Sequence, residues 1–141
     1  MLKISKMMKD KMINELPNKP PEKGGIIGGV NDEITTYWID NSNDSMQSMC
    51  SYTPDVETIN KIIDLWNDEG ITFFGMFHTH YHGVKTLSQG DMEYMRTIIR
   101  AMPKEVKRLL FPIIVFPGKE LVMYSINKAS EKIVLNDYLL M

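Results

Sequence analysis

Residues 75–80 read Gly75-Met76-Phe77-His78-Thr79-His80 and end a run of strand-forming residues that begins at Ile71. Because side chains alternate between the two faces of a strand, His78 and His80 point the same way, roughly 7 Å apart along the backbone. Two imidazoles at that spacing can share one metal ion. Catalytic zinc usually takes three protein ligands and leaves its fourth position open, so a metal-bound hydrolytic centre here needs a third ligand nearby. Taken alone, the pair is a weak signal, because paired histidines at a strand end also occur as satisfied or exposed residues.

Two residues are candidates for that third ligand. His82 has the same parity as the histidine pair, but Gly83 indicates that the chain is already turning there. Asp91 ends the stretch Ser88-Gln89-Gly90-Asp91 and offers a carboxylate, which makes it the favoured candidate. The same stretch is typical of a capping box, in which a serine and an acid three residues later begin a helix. Taken alone, the stretch favours the helix cap.

One carboxylate far upstream, Glu22, follows two consecutive prolines, Pro20 and Pro21. These prolines stiffen an extended backbone and would present the glutamate from a fixed position. The glycines within residues 24–29 predict a strand that permits close backbone approach beside the site. Taken alone, an isolated carboxylate of this kind is usually solvated.

Five residues together resemble the JAMM signature of the JAB/MPN metalloprotease family: Glu22, His78, His80, Ser88 and Asp91. The resemblance implies one zinc ion (Zn2+) per chain, bound by His78, His80 and Asp91. It also implies that Glu22 carries a proton from water to the leaving amine. Ser88 would donate a hydrogen bond to the developing oxyanion.

The resemblance also implies a class of substrate. The family acts on ubiquitin or ubiquitin-like proteins joined through a C-terminal di-glycine tail, and bacterial members act on sulfur-carrier or ubiquitin-like conjugates. We therefore expect a zinc-dependent hydrolase that cleaves isopeptide or peptide bonds after the tail of such a protein. Two alternatives stay open: a peptidase that trims a tail or a small amino-acid adduct, and a non-catalytic MPN scaffold module. Scaffold relatives typically lack metal ligands, whereas here those positions are filled.

The loop after the histidines departs from the family pattern. Tyr81 and Leu87 stand where many members of the family have proline. Together with Val84, their side chains are expected to form one wall of the groove that receives an extended tail.

Hydrophobic periodicity predicts three helices and six strands around the site. The helices are expected at residues 5–16, from the start Thr53-Pro54-Asp55 to Gly70, and from about Ser88 to Met102. The second of these would bury an apolar face made of Val56, Ile59, Ile63 and Trp66. The strands are expected at residues 25–30, 33–39, 71–80, 113–116, 121–126 and, as the last one, 132–136. This alternation predicts an α/β three-layer sandwich with a central mixed β-sheet flanked by helices, and the resemblance implies the same cytidine-deaminase-like architecture.

Length and composition limit the remaining possibilities. A chain of 141 residues predicts one domain, residues 1–141, and a net charge of −2 gives no electrostatic reason to expect a nucleic-acid partner. The longest apolar run, residues 109–116, is too short to span a bilayer, so no membrane partner is expected. Cys50, the only cysteine, lies in a polar loop predicted at residues 41–51 and excludes an internal disulfide and a cysteine-built zinc site. A reducing, cytoplasmic setting is therefore expected.

Overall fold

The computed structural model describes residues 1–41 and 54–141. Its helices are α1 (Lys6–Asn14), α2 (Val56–Asp68) and α3 (Gln89–Ala101). Its strands are β1 (Lys3–Ile4), β2 (Gly24–Val30), β3 (Glu33–Asp40), β4 (Thr72–His80), β5 (Arg108–Val115), β6 (Glu120–Asn127), β7 (Ile133–Leu135) and β8 (Leu139–Leu140). Cys50 and residues 42–51 of the predicted polar loop lie outside the described residues.

The described strands form one mixed sheet in the order β7-β6-β5-β4-β2-β3-β1-β8. β2 and β3 make the predicted antiparallel hairpin, and Asn31 in its turn has a left-handed φ of 55°. β4 pairs antiparallel with β2 and parallel with β5, so the sequence prediction of a central strand there is confirmed. The end of β4 that carries the histidines is therefore held by a neighbouring strand on each side.

Side chains of β4 alternate between two helical layers. On one face of the sheet, Phe77 packs with Met12 and Ile13 of α1. On the other face, Met76 packs with buried side chains of α2 and α3, namely Ile59, Trp66, Met95 and Ile99. The predicted three-layer α/β sandwich is thereby confirmed. Because His78 shares the parity of Met76, it faces the layer that contains α3.

The start of α2 differs from its prediction. The helix begins at Val56 with Asp55 as its N-cap, and the Asp55 side chain accepts a hydrogen bond from the Thr58 amide. Pro54 therefore precedes the cap and does not lie in the first turn. Val56, the first residue of the helix, is 59% exposed and does not belong to the buried face, whereas Ile59 and Trp66 are buried.

Three differences occur among the strands: the start of β5, and the two-residue strands β1 and β8, which the sequence did not predict. β5 begins at Arg108, earlier than the predicted 113, because Pro112 lies within a paired strand: β4 pairs with Leu110 and then with Ile113, skipping the proline. Residues 132–136 do not hold the last strand, since β8 follows β7 and pairs in parallel with β1. Strands of two residues are too short to show a hydrophobic period. Among the described residues, no helix is both long enough and apolar enough to cross a membrane.

Candidate metal centre

The end of β4 brings two imidazole rings together on the face of the sheet toward α3. The Nε2 atoms of His78 and His80 are 3.0 Å apart, and their ring centroids are 4.8 Å apart. His80 is 6% exposed, and His78 is partly buried. The strand alternation inferred from sequence therefore produces a close pair of nitrogens.

The third side chain comes from the first turn of α3. Asp91 directs Oδ1 toward His78 Nε2 at 3.3 Å and Oδ2 toward His80 Nε2 at 3.1 Å. Within the described part of the chain, these three residues form a group whose possible ligand atoms all lie within 4.8 Å of one another. His82 is exposed and has a left-handed φ of 58°, so the chain turns away from the strand direction at this residue. The structure brings together the favoured residues, and their role as metal ligands stays a prediction.

The separations within this group are close to, and slightly shorter than, those between ligands of one tetrahedral ion. Ligand atoms about 2.0–2.2 Å from a zinc ion are roughly 3.3–3.6 Å from one another in tetrahedral geometry. The two Nε2 atoms are 3.0 Å apart, and two different oxygens of Asp91 lie 3.1 and 3.3 Å from them. With one atom from each residue, the three possible ligand atoms lie within 4.8 Å of one another. Two nitrogens and one carboxylate oxygen are also a donor set that zinc accepts. Small side-chain adjustments would thus suffice to place an ion between the three residues, with room for one more ligand.

A backbone carbonyl selects the tautomer of His80. The Nδ1 atom of His80 lies 3.1 Å from the carbonyl oxygen of Val84, and a carbonyl can only accept, so Nδ1 carries the hydrogen. In the neutral ring this leaves the Nε2 lone pair facing Asp91. Such an outer hydrogen bond is the usual way in which a metal-binding histidine is oriented.

The pKa shifts of Asp91 and His80 indicate that positive charge between these side chains is favoured. Burial raises the pKa of the Asp91 carboxyl, but hydrogen bonds from His78 and His80 outweigh it and hold that pKa far below its usual range. Burial lowers the pKa of His80, but the hydrogen bond and charge of Asp91 outweigh it, so the net pKa of His80 is raised. Positive charge between these side chains is therefore favoured, and either a proton or a metal ion can supply it.

Ser88 and Asp91 also form the capping box that the sequence predicts. The Ser88 hydroxyl accepts a hydrogen bond from the Asp91 amide at 3.0 Å, and Asp91 Oδ2 accepts one from the Ser88 amide at 3.0 Å. The cap uses the serine as an acceptor only, so its hydroxyl hydrogen is free to be donated into the cavity. Capping and a role at the site are thus compatible, although the sequence presents them as alternatives.

Glu22 reaches the site through the register between β2 and β4. Gly24 pairs with His78 in antiparallel register, which places residue 22 beside the level of His80. Burial raises the pKa of the Glu22 carboxyl, and the charges of His78 and His80 lower it in part. The carboxylate is therefore half-buried and within electrostatic reach of the histidines.

One cavity of about 620 Å³ contains all of these groups. It is lined by Pro20, Glu22, His78, His80, Tyr81, His82, Val84, Thr86, Leu87, Ser88, Gly90, Asp91 and Tyr94. The expected wall of Tyr81, Val84 and Leu87 is among these residues. Tyr81, however, is only 8% exposed and its ring stacks on Phe116, so it is chiefly a core residue that shows one edge to the cavity.

Thr79 is a contributor that the sequence analysis missed. It stands between the two histidines and is fully buried, on the opposite face of β4. Its hydroxyl accepts a hydrogen bond from the Lys23 amide at 2.9 Å, next to Glu22. The signal was available, because the middle residue of a His-x-His strand must point away from the metal.

Comparisons with known proteins relate the fold to solved structures. No family model and no curated protein matches this sequence. The solution structure of protein DSY2949 from Desulfitobacterium hafniense is similar with a TM-score of 0.73 and 18% identity, over 100% of this chain and 93% of that one. A protein from Salinibacter ruber has a TM-score of 0.63 and 14% identity, over 99% of this chain and 92% of that one. AF2198 from Archaeoglobus fulgidus, a JAB1/MPN domain protein, has a TM-score of 0.58 and 15% identity, over 98% of this chain and 99% of that one. The chain thus shares the fold of an MPN-domain protein and, at the end of its central strand, has a His-His-Asp group that could bind a metal ion.

Proposed function

We propose that this chain is a zinc-dependent hydrolase of the JAMM type. It would cleave isopeptide or peptide bonds after the C-terminal tail of a ubiquitin-like or sulfur-carrier protein. The observation that carries the proposal is the convergence of His78, His80 and Asp91 at 3.0–3.3 Å, in a cavity that Glu22 also lines. The MPN-like fold supports it, since it presents this group at the end of a central strand.

In this proposal each side chain has a feasible task. The chemistry that a zinc ion supplies when bound is Lewis-acid polarisation of water and of a carbonyl group. Glu22, half-buried and with its pKa raised chiefly by burial, is suited to accept a proton from water and return it to a leaving amine. Ser88 has a hydroxyl hydrogen free for a developing oxyanion, because the helix cap uses the serine only as an acceptor.

The proposed substrate follows from the resemblance of the sequence to the family. A di-glycine tail is narrow, and a cavity walled by Val84 and Leu87 would take an extended chain of that kind. Isopeptide and linear peptide substrates would use the same groups, since both present a carbonyl and a leaving amine. A peptidase trimming a small amino-acid adduct would also use them, and the experiment below separates the isopeptide from the linear peptide substrate.

Metal content is the first test. Purified protein should contain about one zinc per chain, and His78→Ala or His80→Ala should lose it, because a catalytic zinc site has only three protein ligands. His82→Ala is the matched control, since it changes a histidine of the same cavity that lies outside the group, and it should keep the metal. Full zinc occupancy in both His78→Ala and His80→Ala would refute the site.

Activity is the second test. The probe is a ubiquitin-like protein whose C-terminal di-glycine is joined to a lysine side chain or to a linear peptide. Glu22→Gln preserves shape and should keep zinc, yet lose turnover by at least about 10²-fold, the lower range for a general base. Glu33→Gln, in the hairpin of β2 and β3, is the control and should be as active as the wild type. A zinc-loaded wild type that binds such proteins but cleaves neither probe would favour the scaffold alternative.

A further inference from the structure

Two hydroxyl groups behind the histidines hold the segment that carries Glu22. We infer that Thr79 and Tyr81 are positioning residues for Glu22, acting through a hydrogen-bond chain on the face of β4 opposite the candidate metal ligands. This inference rests on the proposed function for its catalytic consequence. Its structural part stands on the contacts alone.

The chain of hydrogen bonds has a single direction. The Lys23 amide donates to the Thr79 hydroxyl at 2.9 Å, and that hydroxyl donates to the Tyr81 hydroxyl at 3.0 Å. Tyr81 in turn donates to the carbonyl of Pro17 at 3.1 Å and to the carbonyl of Pro21 at 3.3 Å. An amide only donates and a carbonyl only accepts, so both hydroxyl orientations are determined. Each hydroxyl accepts one bond; Thr79 donates to one acceptor, and the single hydrogen of Tyr81 is shared between the two proline carbonyls.

The hydrogen-bond chain begins and ends on the same segment, residues 17–23, which precedes β2. A further bond from the Thr79 amide to the Lys23 carbonyl, at 2.8 Å, extends the ladder of β2 and β4 past its last paired residue. Glu22 therefore lies between two anchored neighbours, with the Pro21 carbonyl on one side and both backbone groups of Lys23 on the other. Its side chain is left to face the cavity.

Burial makes these bonds effective. Thr79 is 0% exposed and Tyr81 is 8% exposed, and the Tyr81 ring stacks on Phe116 at a centroid distance of 5.8 Å. In such surroundings a polar group without a partner is costly, so removing one hydroxyl leaves its neighbours unsatisfied and favours release of the segment. A general base must stay within hydrogen-bond reach of the proton it takes, so release would lower turnover without removing metal.

The decisive variant is Tyr81→Phe, which removes one oxygen and preserves the stacked ring. Its matched control is Tyr138→Phe, because the Tyr138 hydroxyl also donates to a backbone carbonyl, that of Leu121, away from the cavity lining. The readout independent of activity is hydrogen exchange of the Lys23 amide, which is two hydrogen bonds away from the mutated oxygen, through the Thr79 hydroxyl. Loss of one buried hydrogen bond should speed this exchange by about fivefold to tenfold in Tyr81→Phe and leave it unchanged in Tyr138→Phe.

The catalytic consequence is read on zinc-loaded protein. Tyr81→Phe and Thr79→Val should keep full zinc content and an unchanged KM, while kcat falls about tenfold, as displacement of a positioned base predicts. Thr79→Ser keeps the hydroxyl and should restore kcat. Equal Lys23 exchange in Tyr81→Phe and Tyr138→Phe would show that the hydrogen-bond chain does not hold the segment. Faster exchange in Tyr81→Phe with a wild-type kcat would refute the positioning role of Thr79 and Tyr81. An inactive wild type would refute only the proposed hydrolase function, because the exchange comparison still decides whether the hydrogen-bond chain holds the segment.

Discussion

Gly75 is a position at which the fold leaves no room for a Cβ atom, and Gly75→Ala should be strongly destabilising. The residue lies in β4, three residues before His78, and pairs with Leu110 of β5. A Cβ atom built on Gly75 would lie 1.8 Å from the Leu110 carbonyl oxygen and 2.7 Å from the Leu110 nitrogen. These are backbone atoms, so no side-chain rotation relieves the overlap.

The size of the expected loss of stability follows from how far β4 and β5 would have to separate. The strands would have to separate by about 1 Å to reach the shortest contact that real Cβ atoms show. That movement breaks adjacent ladder hydrogen bonds, at about 1–3 kcal/mol for each buried group left unsatisfied, and adds about 1–3 kcal/mol for overpacking. We expect a loss of about 4 kcal/mol in the free energy of unfolding, a large part of the roughly 5–15 kcal/mol of an ordinary domain.

The matched control is Gly70→Ala, after α2. Gly70 has a left-handed φ of 77°, but nothing lies within 4 Å of a Cβ placed there. The control therefore carries only the backbone penalty of about 1–2 kcal/mol. Urea unfolding of the wild type and both variants measures the difference, with m-values checked for two-state behaviour. Equal losses in Gly75→Ala and Gly70→Ala would refute the contact argument, and zinc content of folded Gly75→Ala should fall because β4 presents His78.

Three further predictions concern the ends of α3. Ser88→Ala should cost about 1 kcal/mol by loss of the cap, keep zinc and lower kcat by roughly 10²–10³-fold. Asp91→Asn should keep the cap, because its amide oxygen still accepts from Ser88, but lose zinc; retained zinc would exclude Asp91 as a ligand. At the other end, the Lys128 ammonium donates to three carbonyls, at 2.8 Å (Ile99), 3.2 Å (Arg100) and 2.7 Å (Met102). Lys128→Met should therefore cost about 2 kcal/mol, or roughly 6 °C in Tm. Lys132→Met changes an exposed lysine and should keep a free energy of unfolding within about 0.5 kcal/mol of the wild type. An equal loss of stability in Lys128→Met and Lys132→Met would show that Lys128 does not cap the end of α3.

Local patterns were sufficient for much of the framework. The alternation of β4 predicted that His78 and His80 share a face, and the capping box predicted the start of α3 at Ser88, because both depend only on residues close in sequence. Where the local pattern was interrupted, the prediction was wrong. The first half of β5 was not predicted because Pro112 interrupts the strand pattern. A proline is tolerated within a sheet only when a neighbouring strand leaves its nitrogen unpaired.

The sequence by itself determined which side chains can bind a metal and which faces of the strands and helices are apolar. Tertiary structure decided which of those side chains meet. Glu22 lies beside His80 only because β2 and β4 pair in one register across more than fifty residues of chain. The hydrogen bonds that join Thr79 and Tyr81 to the segment at 17–23 depend on the same register. Such contacts are set by packing between distant segments, and no period along the chain records them.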